Sequence, residues 1–88
     1  MQCQLCGREV AALTVHHLTP RQKLKKGETT PTIEICGACH RQVHALFSNA
    51  ELARRLHTLE DLQAEPSMQR FLGWVRRQDP NKHIRVRR

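Results

Sequence analysis

Apolar positions along the chain recur with a period near two in its first third and near 3.6 beyond residue 40. EVAALTV (residues 9–15) predicts a short strand that runs into two adjacent histidines, His16 and His17. TIEI (32–35) alternates polar and apolar side chains, as a half-buried strand does. Between them TPRQKLKKGETTP (19–31), bounded by Pro20 and Pro31, predicts a basic loop. HRQVHALF (40–47) sets Val43, Leu46 and Phe47 on one face of a helix. Ser48 or Asn49 can cap a further helix, along which Leu52, Leu56 and Leu59 recur at spacings of four and three until Pro66 breaks the run. PSMQRFLGWVRR (66–77) predicts an amphipathic helix with Met68, Phe71, Leu72 and Val75 inward, and QDPNKHIRVRR (78–88) a flexible basic tail. The expected organisation is a small α+β domain: a core at 1–47, a helical extension of the same domain at 48–77, and the tail at 78–88.

Size changes this picture by asking what holds the core together. The chain has 88 residues and three aromatic side chains, Phe47, Phe71 and Trp74, so its core is marginal and calls for a staple. Cys3, Cys6, Cys36 and Cys39 form two CxxC pairs about 30 residues apart, a spacing that suits tetrahedral zinc in a closed, structural site. Two disulfides are the alternative. No apolar run nears the roughly 20 residues of a membrane span. Gln2 and the first cysteine pair follow Met1 directly, so no signal peptide is expected. The expected location is cytoplasmic, where thiols stay reduced and favour metal over disulfide.

Charge adds a partner. The formal net charge is +7 and the pI about 10.1. Arg21, Lys23, Lys25 and Lys26 form one basic group; Arg70, Arg76, Arg77, Lys82, Arg85, Arg87 and Arg88 form another. Arginine forks suit phosphate oxygens, so the balance favours a polyanion, most simply nucleic acid, without distinguishing DNA from RNA.

The histidines bring the chemistry. His40 and His44 are four apart on the expected helix, so their rings share one face and can reach one ion. The cysteines already fill a zinc shell, so these two would serve a second ion. A CxxC, a strand ending in HH, a loop, a short strand and then CxxCHxxxH resembles the HNH nuclease family, in its zinc-bound subgroup, over residues 3–47. HH followed by HxxxH also resembles the metal site of the DNase colicins.

The resemblance implies a ββα-metal finger, a hairpin packed on one helix and gripping a divalent ion, with the four-cysteine structural zinc and C-terminal helices around it. It implies a metal-dependent endonuclease that hydrolyses DNA phosphodiester bonds. His16, His40 and His44 would ligate the catalytic ion, and His17 would be the general base. Strand alternation agrees, since neighbouring rings point to opposite sides. The family's central asparagine has no counterpart in TTPTIEIC, where Thr32, Thr30 or a backbone carbonyl would hold the base instead. Mg2+, Mn2+, Ni2+ and Zn2+ are the candidate ions, and a nitrogen-only set is softer than magnesium prefers. Phosphate contacts would come from Arg21, Lys23, Lys25, Lys26, Arg76, Arg77, Arg85, Arg87 and Arg88. A zinc-stapled nucleic-acid-binding module without catalysis is the alternative.

Overall fold

The computed structural model describes residues 1–80, apart from the side chain of Arg21. It is a small α+β fold: a two-stranded antiparallel sheet followed by helices. Strand β1 (Thr14–His17) pairs with β2 (Thr32–Ile35) in the register Thr14↔Ile35, Val15↔Glu34, His16↔Ile33 and His17↔Thr32. Residues opposite one another share a face, so Thr14, His16, Ile33 and Ile35 line one side of the hairpin, and His16, Ile33 and Ile35 are buried there. Val15, His17, Thr32 and Glu34 line the other.

The first strand is shorter than the 9–15 run predicts, because residues 9 and 10 close the N-terminal knuckle instead. Glu9 bridges to Gln2, and the Val10 amide donates to the Met1 carbonyl. Inside that knuckle the Gly7 amide donates to the Cys3 carbonyl at 2.9 Å with φ of +80°, a backbone conformation that favours glycine.

Helix α1 (Gly37–Leu46) starts three residues earlier than the apolar pattern suggests. The CGAC knuckle is itself its first turn: Cys36 is the N-cap, and the His40 amide donates to the Cys36 carbonyl. The leucine run makes two helices rather than one, α2 (Asn49–Arg55) and α3 (Leu59–Ala64). Ser48 starts α2 with a reciprocal capping box to Glu51. Thr58 starts α3 by accepting from the Asp61 amide, which puts Leu56 just past the end of α2. Helix α4 (Pro66–Val75) begins with proline in its first turn and Glu65 as its cap. Ile35, Val43, Leu52, Leu62, Met68 and Val75 are all fully buried, so the extension shares one core with the hairpin and α1.

Candidate metal centres and cleft

The two knuckles bring four thiols together. Cys3 and Cys39 sulfurs stand 3.8 Å apart, and those of Cys6 and Cys36 3.9 Å. A tetrahedral zinc with Zn–S bonds of about 2.3 Å needs sulfur–sulfur edges of about 3.8 Å, so the set fits zinc. All four cysteines are free and buried, and the disulfide alternative is not realised. Backbone amides of Cys6 and Cys36 donate to the Cys3 sulfur at 3.4 and 3.3 Å. Hydrogen bonds from Cys3, Cys39 and Cys6 hold the Cys36 thiol well below the usual thiol range.

Arg8 completes this centre, and the sequence pattern does not single it out. It is 8% exposed, and its guanidinium donates to Cys6 Sγ, Cys36 Sγ and the Gln78 carbonyl, each at 3.4 Å. A zinc held by four thiolates would carry a net charge of −2, part of which Arg8 would balance. Nothing local marks this role, because Gln78 lies 70 residues away.

The histidine constellation forms on the buried side of the hairpin. The ring centroids of His16, His40 and His44 lie 5.0–5.4 Å apart, and one nitrogen from each falls within 4.8 Å of the others. His16 is 1% exposed, and its Nε2 is buried without a hydrogen-bond partner. Burial first, then the neighbouring His40, His44 and His17, hold its pKa down to about 4. The ring is therefore neutral near pH 7, with an orphaned nitrogen, which is costly unless a cation takes the lone pair. Burial, then His44 and His17, lowers His40 as well.

Thr14 orients His40. Its hydroxyl donates to the Ile35 carbonyl at 2.9 Å, so its oxygen accepts from His40 Nδ1–H at 2.8 Å. That leaves His40 Nε2 unprotonated, as a metal ligand requires. Strand alternation is the signal that marks Thr14, which sits two residues before His16 on the same face.

His17 joins this group from the other face. An open cleft of about 320 Å³ is lined by Val15, His16, His17, Pro20, Gln22, His40, His44 and Asn49. Thr32 stands opposite His17 in the ladder. The Thr30 hydroxyl is engaged elsewhere, accepting from the Thr19 amide and donating to the Pro31 carbonyl. Among the described residues no side chain hydrogen-bonds the His17 ring. Of the two possible caps, Ser48 starts α2 and Asn49 lines the cleft.

Of the expected phosphate contacts, Lys23, Lys25, Lys26 and Arg77 are exposed. Arg76 is exposed too, but its guanidinium donates to the carbonyls of Cys6 and Leu5 at 3.1 and 3.5 Å. The side chain of Arg21, and Arg85, Arg87 and Arg88, lie outside the described residues. Among those residues no helix is long and apolar enough to cross a membrane.

Residues 3–46, half of the chain, match the HNH endonuclease family. The chain is also 44% identical over 86 residues to the uncharacterized protein YisB of Bacillus subtilis (strain 168), covering 98% of this chain and 84% of that one. No solved structure matches. The chain belongs to the HNH endonuclease family, and its function is of the nuclease or nucleic-acid-binding type.

Proposed function

We propose that the protein is a metal-dependent endonuclease that hydrolyses DNA phosphodiester bonds. A structural zinc sits on Cys3, Cys6, Cys36 and Cys39, and one catalytic divalent ion on His16, His40 and His44. The observation that carries this reading is the orphaned, buried Nε2 of His16 among two further imidazoles, with His17 lining the same cleft. A zinc staple alone has no use for that second cluster.

His17 takes a proton from a water molecule as its oxygen attacks phosphorus, and the P–O3′ bond breaks. The bound ion supplies positive charge that holds the phosphate and offsets the charge developing on its oxygens and on the leaving group. Thr14 keeps His40 in the ligating tautomer, and Thr32, opposite His17, is the nearest hydroxyl on the ladder to steady the base. Lys23, Lys25 and Lys26 are exposed and follow Pro20 and Gln22 of the cleft wall in the chain, which supports a role for them, with Arg21 of the same basic group, in contacting flanking phosphates. Arg77, Arg85, Arg87 and Arg88 add sequence-independent affinity, whereas Arg76, expected among them, is engaged with the Cys6 and Leu5 carbonyls. The nitrogen-only ligand set favours Mn2+, Ni2+ or Zn2+ over Mg2+.

The test is plasmid cleavage with each ion. His17→Ala should lower the rate roughly 10²–10⁴-fold with little change in ion affinity, whereas His16→Ala should lose the second ion and keep the zinc. If His17→Ala cuts as fast as the native chain, the base assignment fails. One observation favours the second reading, a binding module without catalysis: no described side chain holds His17. Tight DNA binding without cleavage in any of the four ions would establish it.

A further inference from the structure

Two of the three aromatic side chains lie together on the outside of the C-terminal helix. Ser67, Arg70, Phe71 and Trp74 share one side of α4, each three or four residues from another of the set, and Arg77 continues that side in the turn just past the helix end. The opposite stripe, Met68, Leu72 and Val75, is buried. Phe71 is the boundary residue: it packs on the core, and its ring centroid is 6.1 Å from that of Trp74 at an interplanar angle of 47°. Trp74 itself is 47% exposed, the one aromatic side chain among the exposed large hydrophobics of the described residues. Arg70 lies one turn before it and Arg77 one turn after it, both exposed. No residue of α4 is acidic, and Glu65 at its start turns its carboxylate onto the Met68 amide.

Gly73 is the second observation. Glycine is a poor helix former, yet nothing in the fold requires it here: a Cβ at 73 would meet no atom within 4 Å. The helix is bare beside Trp74 on the arginine side, where Arg77 runs back to donate to the Gly73 carbonyl at 3.2 Å. A glycine that the protein's own packing does not need, between an exposed indole and a guanidinium, leaves room for something outside to approach the backbone closely.

We propose that this face is a stacking platform for an unpaired nucleic-acid base, with Arg70 and Arg77 taking the phosphates on either side. The chemistry selects the occupant. An intact duplex buries the faces of its bases in the stack, so an exposed indole gains little from it. An unpaired base presents a flat π-face, and stacking on an aromatic ring is tolerant of sequence. The proposal deepens the reading of the chain as acting on DNA by directing it to strands with an unpaired segment, and it rests on that reading only for its biological setting.

Trp74 is the chain's single tryptophan, so its fluorescence reports this face alone. A short oligothymidylate titrated into the zinc-loaded protein should quench it, with an affinity that falls as salt rises. A blunt hairpin duplex, followed by the anisotropy of a label on the DNA, should bind with little quenching. Trp74→Ala should weaken oligothymidylate binding roughly ten- to hundredfold, measured by the same anisotropy, and Trp74→Phe should recover most of it. Gly73→Leu should fill the approach and weaken binding while raising the melting temperature, so misfolding cannot explain the loss. The inference is overturned by no quenching at low salt, by equal quenching from the hairpin, or by undiminished binding of Trp74→Ala. It is also overturned if sedimentation of DNA-free protein shows this face closed by a second copy. Cleavage by the histidine cleft is scored separately: quenching without cleavage sinks the nuclease reading and leaves this one standing, and cleavage without quenching does the reverse.

Discussion

Arg8→Ala should loosen the cysteine-bound zinc without touching any of its ligands. The guanidinium lies 3.4 Å from both Cys6 Sγ and Cys36 Sγ. Spread over four sulfurs, the −2 charge of a zinc tetrathiolate leaves about half a charge on each. At an effective dielectric of about 20, a unit charge 3.4 Å from half a charge gains about 2.4 kcal/mol, and the two sulfurs together about 5 kcal/mol. Withdrawing a guanidinium from water offsets part of that, and a net loss of about 2–3 kcal/mol on truncation corresponds to a roughly 30- to 150-fold weaker zinc site. Arg8→Lys keeps the charge but cannot span two sulfurs and the Gln78 carbonyl at once, so it should fall between. Competition against a chromophoric zinc chelator gives the affinities directly, and melting curves with and without chelator give the matching loss of stability. If Arg8→Ala holds zinc within threefold of the native protein, the charge-balancing role is refuted.

Two further outcomes follow from the histidine cluster. Thr14→Val removes the acceptor for His40 Nδ1–H and should weaken the second divalent ion by about 10- to 100-fold in calorimetric titration, with zinc content unchanged; equal affinity would mean the tautomer is set elsewhere. The pH dependence has a defined sign, because burial depresses His16 from an ordinary value near 6.5 to about 4. The unfolded chain takes up this proton first as pH falls, so the stability is fully present above about pH 6.5 and is lost towards pH 4. The full window is worth on the order of 3 kcal/mol. With one equivalent of zinc and no other ion, urea unfolding at pH 7 and pH 4.5 should show a steeper loss for the native chain than for His16→Phe. Parallel losses would refute the assignment.

Features set by local spacing are legible in the sequence; those set by partners far along the chain are not. The CxxC pairs and the HH and HxxxH spacings each encode which side chains can share one ion, and the structure brings both donor sets together. The start of α1 is hidden because a CxxC knuckle and the first turn of a helix have the same spacing, and CGAC is both. The leucine run looks continuous because Leu52, Leu56 and Leu59 keep helical spacing across a break. The deciding signal is Thr58 three residues before Asp61, a cap inside the run. Arg8 and Arg76 are beyond local reading. One reaches Gln78 and the other Cys6, each across 70 residues, so an arginine that ties the C-terminal helix to the zinc knuckle looks in sequence like one more phosphate ligand.

The two donor sets are not independent, and the connection runs through Thr14. Cys36 and Cys39 occupy the cap and first turn of α1, and His40 and His44 follow on the same helix. Whatever fixes the start of α1 therefore fixes where its two imidazoles stand. Ile35, the last residue of β2, is bonded directly to Cys36 and offers its carbonyl to the Thr14 hydroxyl, which in turn receives His40 Nδ1–H. Thr14 is thus clamped between the knuckle and the ligand it orients, while His16 lies two residues further along the same strand face. Zinc on the cysteines would hold this path in register by pinning the N-terminal knuckle, β2 and α1 to one point. An ion on the histidines spans only β1 and α1 and does not reach Cys3 or Cys6. The expected dependence is accordingly unequal: loss of an ion from the cysteines would disturb the histidine cluster more than loss of an ion from the histidines would disturb the knuckles. Such an asymmetry would suit the proposed nuclease, in which one metal would maintain the fold and the other would exchange at the open cleft.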